Sequence, residues 1–473
     1  MSALHDLSAA ALLAGYRGHD FSPVEVLQDL LAHIERWEPQ LHATWLLRPE
    51  AALDQARASQ ARWLRGAPCG PLDGVPVTIK DNIATQGDPT PLGTAALPLL
   101  PAAADAPPAA RLREAGAVLV TKTTMPDYGM LSSGLSSFHA LARNPWDLTK
   151  GPGGSSAGAG AAAAAGYGPL HVGTDIGGSI RLPASWCGVF GLKPSLGRVP
   201  IDPPYTGRAA GPMTRTVQDA ALMMQVLSRP DARDSMSLPA KDIAWQRLDS
   251  GLGRLRGLRL GLLLDAGCGL AVDPQVRAAV ESATRLFEQA GAIVEPMRPF
   301  FTRQMLDGMD HFWRMRSLMD LRTLTPAQLD KVLPFIRHWA ESAAGLDGAQ
   351  VFAASQQFHA TRLATVRACA PFDYVLSPVA PITAFAAELP APTNDPLRPL
   401  EHIAFTVPFN MSEQPAASIN CGYTTAGLPI GLQIAGPRFD DLGVLQIAHA
   451  LEQLRGPQRP WPAPPASGIE KSL

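Results

Sequence analysis

Cysteine is scarce and shows no paired pattern. Cys69, Cys187, Cys268, Cys369 and Cys421 are an odd number, widely scattered and without a CxxC pair, so neither a disulfide framework nor a zinc site is suggested. Such usage fits a reducing, cytoplasmic setting. Long apolar runs are missing as well. The longest candidate, Ala157 to Gly173, is mostly alanine and glycine, and Asp6, Arg17, His19 and Asp20 interrupt the N-terminal stretch. Neither a membrane span nor a signal peptide is expected. One-sided charge is also lacking: 40 basic and 42 acidic residues leave −2, with no run of five like charges. That removes the electrostatic basis for direct nucleic-acid binding.

The chain does have apolar residues in quantity, 46% of 473, enough for a large folded core. No long polar linker divides it, so one domain over residues 1–473 is expected. Helical periodicity runs through the segment to residue 67, with a start signal at Ser22-Pro23 followed by Val24, Val26, Leu27, Leu30, Leu31 and Ile34. Short apolar runs then alternate with helical stretches. Val75–Ile79, Ala117–Val120, Pro169–Gly173, Leu258–Leu264, Asp373–Leu376, Ala416–Asn420 and Ile430–Ile434 read as strands, and Pro274–Ala290 as a helix. The fold class expected is α/β: an α/β/α sandwich with a large mixed, mostly parallel twisted sheet covered by helices. Residues 301–362 break the alternation. Rich in Met, Trp and Phe, they read as a helical insertion near the active-site entrance.

Glycine is dense in two places, Lys150-Gly-Pro-Gly-Gly-Ser-Ser-Ala-Gly and Val172-Gly-Thr-Asp-Ile-Gly-Gly-Ser-Ile-Arg181. Gly177 and Gly178 let the chain turn tightly and aim N–H groups at one point, as a developing oxyanion requires. Ser179 ends that turn. A serine needs a base, and no histidine presents itself: His171, eight residues upstream, reads as packed or surface. Lys80 closes the apolar run Val75-Pro-Val-Thr-Ile-Lys, and a lysine drawn inside by such a strand loses its charge readily. Gly154-Ser-Ser-Ala-Gly158 also matches a nucleophile elbow, with Ser156 attacking and His449 as base. The segment before it reads as loop, where an elbow needs a strand.

Val75–Asn82, Gly-Gly-Ser-Ser and Gly173–Arg181 occur in order, with Lys80 75 residues before Ser155 and Ser155 24 before Ser179. Here the sequence resembles the amidase signature family, and the likeness extends through Arg143-Asn-Pro-Trp, Cys187–Pro194, Phe409–Ala416 and Gly427–Gly436. The resemblance implies that Ser179 is the acyl-forming nucleophile, Ser155 a bridging serine with a cis peptide bond, and Lys80 the base. It places the oxyanion hole at the N–H groups of Ile176, Gly177, Gly178 and Ser179. It makes Ser156, Asp175 and Arg181 supports of the loop, and it sets Gly129, Met130 and Leu131 beside the nucleophile as a substrate wall. Ala157 stands where family members often carry glycine.

No metal or organic cofactor is implied. The expected substrate is a small-molecule amide, first an apolar aryl or alkyl amide with Phe312, Trp313, Phe335 and Trp339 as a further wall. Small urea-like amides come second, with Arg208, Arg215 or an arginine of the insertion clamping a carboxylate. The sequence is also similar to the catalytic subunit of glutamine-dependent amidotransferases acting on misacylated tRNA, which pass ammonia to a partner. A homodimer is a further family-based expectation.

Overall fold

The computed structural model describes residues 3–248 and 250–465. One sheet organises the chain. Its strands are β1 (Thr44–Leu47), β2 (Pro76–Lys80), β3 (Val118–Thr123), β4 (Leu170–Asp175), β5 (Phe190–Lys193), β6 (Ala209–Thr214), β7 (Arg259–Leu262), β8 (Ile293–Pro296), β9 (Tyr374–Pro378), β10 (Ala416–Tyr423) and β11 (Pro429–Ala435). They lie in the order β1-β3-β2-β4-β6-β5-β10-β11-β9-β7-β8. Helices cover both faces, so the α/β class and the large mixed sheet stand as expected.

The parallel majority does not. Among the described residues, β2 pairs in parallel with β3 and β4, and β7 with β8 and β9. The other six pairings are antiparallel. The physical reason is that a fully buried strand is a continuous apolar run whichever way its neighbour points, so composition carries no direction. The segment to residue 67 also contains more than helices. β1, only four residues long, pairs with the end of β3 and makes the sheet edge.

The helix Ala157–Ala165 explains the alanine-glycine tract. All nine of its residues are buried, so it has no polar face and no amphipathic period to detect. Gly166, in the left-handed region at φ 83°, ends it. Its small side chains allow close approach: a Cβ on Gly158 would sit 2.1 Å from the Ala43 carbonyl oxygen and 2.4 Å from the Thr124 nitrogen. The helix is thereby held against the end of β3, with Ser155 and Ser156 fixed at its start.

Helices Arg303–Leu321, Pro326–Leu329, Pro334–Glu341 and Gly348–Cys369 follow one another through and beyond the expected insertion. Their apolar faces build a core of their own. Leu306, Met309, Trp313, Ile336 and Trp339 pack there with Leu131 and Ile403. Among the described residues no helix is long and apolar enough to cross a membrane.

Candidate active site

Lys80 is the last residue of β2 and is fully buried. Its Nζ is hydrogen bonded to Ser155 Oγ at 2.8 Å and to Thr174 Oγ1 at 3.0 Å. Burial lowers its pKa to about 7, against the opposing charges of Asp175 and Asp81 and with help from Arg208. A neutral amine is therefore accessible near neutral pH. Thr174 also accepts from Asn82 Nδ2 at 3.1 Å, so the end of β4 and the residues after β2 share one polar junction. Thr174 and Asn82 lie inside motifs noted in the sequence, yet their contacts with this junction become visible only in three dimensions.

The Gly154–Ser155 peptide is cis. Ser156, next in line, is buried and exchanges hydrogen bonds with the Thr174 backbone, its Oγ donating to the carbonyl at 3.1 Å and accepting from the N–H at 3.2 Å. The Ser156 N–H donates to the Ser179 carbonyl at 3.2 Å. Its hydroxyl is thus spent on holding the strand end and the serine loop together. An elbow nucleophile would need that hydroxyl open to a substrate. His171 is a satisfied core residue, contacting Thr78 Oγ1 at 2.8 Å and the Gly168 carbonyl at 3.0 Å, and burial pushes it down to about 3.

The turn after β4 is held from beneath. Asp175 takes N–H bonds from Gly178 at 2.8 Å and Ile180 at 3.1 Å. Arg181 grips the same carboxylate through Nε at 3.0 Å and Nη2 at 2.9 Å. Burial alone would raise the Asp175 carboxyl, but the Arg181 guanidinium and Asn410 hold it well below the carboxylate range. Arg181 also donates to the Thr406 carbonyl, Gln433 Oε1 and Asn410 Oδ1. Every donor of that buried guanidinium thus has an acceptor. Asn410 and Gln433 fall in the two C-terminal segments that carry the family resemblance.

This network changes the expected donor set. Gly178 N–H is taken by Asp175, while the N–H groups of Ile176, Gly177 and Ser179 have no acceptor among the described residues. Three donors, not four, are open. Gly178 has φ 129°, and a Cβ there would meet Thr406 Oγ1 at 2.6 Å; a Cβ on Gly177 would crowd Ile403 Cδ1 at 3.2 Å. Ser179 Oγ makes no hydrogen bond among the described residues, so the Lys80–Ser155 link is closed and the Ser155–Ser179 link is open.

Ser179 lines a cavity of about 60 Å³ with Gly129, Met130, Leu131, Ile176, Gly177, Trp313, Arg316, Trp339, Leu400 and Ile403. Gly129 approaches Ser155, since a Cβ on it would lie 3.3 Å from Ser155 Oγ. Larger hollows exist, such as one of about 220 Å³ beside Lys122, but no serine lines it. Trp313 and Trp339 do reach the cavity. Phe312 instead packs edge-on against Phe358, and Phe335 does not line the cavity. Arg215 is also placed elsewhere: its guanidinium binds Asp6 and the Ala163 and Ala164 carbonyls at the end of the alanine helix. It is no clamp for this site.

An α/β sheet that holds a buried lysine bonded to one serine, beside a cavity lined by a second serine and open backbone donors, defines the class of protein as a candidate amide-handling enzyme. The family model named Amidase matches residues 25–445, and the chain belongs to that family. It is an enzyme of carbon–nitrogen bond chemistry, a class holding both hydrolases and amidotransferases. A glutamyl-tRNA(Gln) amidotransferase subunit from Myxococcus xanthus (strain DK1622) is 36% identical, over 95% of this chain and 97% of the relative. The corresponding protein of Picosynechococcus sp. is 33% identical over 91% and 94%. Among solved structures, a bacterial aryl acylamidase of the amidase signature family aligns with TM-score 0.88 and 29% identity, over 96% and 97% of the two chains. A 6-aminohexanoate cyclic dimer hydrolase aligns at 0.85 and 27%, over 95% and 97%.

Proposed function

We propose that this chain hydrolyses the amide bond of a small molecule through an acyl-enzyme on Ser179. Neutral Lys80 takes a proton from Ser155 while Ser155 takes one from Ser179, and the Ser179 oxygen attacks the amide carbonyl carbon. The oxyanion that forms is met by the N–H groups of Ile176, Gly177 and Ser179. Ser155 passes a proton to the nitrogen, the C–N bond breaks, and the amine leaves. Water then attacks the acyl-enzyme by the reverse relay and releases the acid. The observation that carries this reading is the fully buried Lys80 held 2.8 Å from Ser155, whose hydroxyl lies next to Gly129 in the lining of the Ser179 cavity.

A second reading has its own support. The 36% identity to a glutamyl-tRNA(Gln) amidotransferase component favours a chain that opens glutamine and yields its ammonia to a partner. On sequence identity this reading is the better supported. The cavity favours the first, because no Asp or Glu lines it to meet the ammonium of a free amino acid. Ammonia or amine release from aryl, alkyl, ureido and glutamine amides, by wild type beside Ser179→Ala, separates the two. Release from aryl or alkyl amides that vanishes in the variant supports the hydrolase. Activity on glutamine alone supports the amidotransferase reading, and turnover kept by Ser179→Ala contradicts both.

A further inference from the structure

The arginines around this cavity, Arg181 and Arg314 buried and Arg316 half-buried, differ in one respect. Arg314 is paired with Asp310, and Arg181 with Asp175. Arg316, two residues after Arg314 on the same helix, lines the cavity with Ser179 and forms no ion pair with any carboxylate among the described residues. Its Nε is buried without an acceptor. Its other contacts are weak ones: Nη2 lies 3.5 Å from Met130 Sδ, and Cζ stands 5.1 Å from the Tyr205 ring centroid. Arg208 reaches the same ring from 5.9 Å, binds the Pro203 carbonyl, and likewise forms no ion pair among the described residues. A second orphan donor, the buried Nε1 of Trp313, lies one helical turn before Arg316 and belongs to the same cavity wall.

Leaving a guanidinium N–H and an indole N–H buried and unsatisfied is costly, and such groups call for an acceptor. The rest of the lining is apolar or small, and none of it is acidic. A planar guanidinium with open donors suits a carboxylate above other anions of small amides.

We infer that the amide opened at Ser179 also carries a carboxylate, seated against Arg316, with an apolar body between the two groups and no free ammonium. This rests on the hydrolase reading for its chemistry, but the recognition is separable from turnover. The carboxylate takes no part in the reaction; it positions the amide and sets KM.

Binding to the Ser179→Ala protein isolates that recognition. The probes are the mono-4-nitroanilide of glutaric acid and its uncharged counterpart, pentanoic acid 4-nitroanilide, titrated by calorimetry. The acid is expected to bind about 10–100-fold more tightly, the range of one charge-assisted contact. Arg316→Gln should erase that preference and Arg316→Lys should keep part of it. Equal binding of the two probes, or a preference surviving Arg316→Gln, overturns the inference. Wild-type turnover of the same pair reads the hydrolase proposal independently: a binding preference with no nitroaniline release sinks the hydrolase reading and leaves the carboxylate site standing. Glutamine compared with 5-amino-5-oxopentanoate, which lacks only the ammonium, checks the remaining clause. Tighter binding of glutamine contradicts it.

Discussion

The floor of the cavity and its far wall are built on opposite plans. Beneath Ser179, Asp175, Arg181, Asn410 and Gln433 form a buried polar network in which the charged groups are matched. On the wall, the helix Arg303–Leu321 presents Trp313 and Arg316 with buried donors unmatched. A satisfied network in low dielectric holds one geometry, as chemistry at a carbonyl demands. An unsatisfied wall awaits a group the chain does not supply. On the proposed function, the difference separates what makes a bond break from what chooses the molecule.

Four substitutions sharpen or break this contrast. Lys80→Ala should cost about 10²–10⁴-fold in kcat/KM on every substrate alike, the range of general-base catalysis, in steady-state assays. A substrate-dependent loss would blur the division between floor and wall. Asp175→Asn leaves the buried Arg181 charge without its partner and should destabilise the fold by about 3–5 kcal/mol in urea unfolding. A change below about 1 kcal/mol would mean that Thr406, Gln433 and Asn410 suffice to hold the guanidinium.

The third substitution reads the base itself. Lys80, lowered to about 7, is protonated below that pH and cannot accept a proton, so kcat/KM should fall as pH drops through 7. The Asp81 charge acts to raise Lys80, and Asp81→Asn should therefore move this acid limb to lower pH. A limb that stays fixed would disconnect Asp81, or Lys80, from the titration. The smallest effect is expected on the wall. Trp313→Phe deletes a donor that has no acceptor, so its cost should be that of the lost ring contacts alone, about 1–2 kcal/mol in urea unfolding, while KM moves with the substrate.

How much of this could be read beforehand follows the same division. Lys80, Ser155, Ser156, Asp175, Ser179 and Arg181 stand in motifs whose glycines and order are distinctive, so their proximity was legible from spacing and resemblance. The engagement of Gly178 by Asp175 was not, because a run of consecutive N–H groups does not say which one turns inward. Directions of strand pairing were hidden by uniformly apolar strands, and the helix Ala157–Ala165 by its lack of any polar face. Arg316 was only one of several arginines in the insertion. What singles it out is a missing partner: Arg314 takes Asp310, four residues earlier on the same helix, whereas Asp320, at the same spacing after Arg316, forms no ion pair with it among the described residues, which spacing alone does not tell.

The most direct test of the account is the intact mass of the protein after brief reaction with a 4-nitrophenyl ester, followed by peptide mapping. The account predicts a single acyl adduct on Ser179, formed by wild type and absent from Ser179→Ala. An adduct on Ser156 or Ser155 in the wild-type protein, or burst release of nitrophenol unaffected by Ser179→Ala, would contradict it.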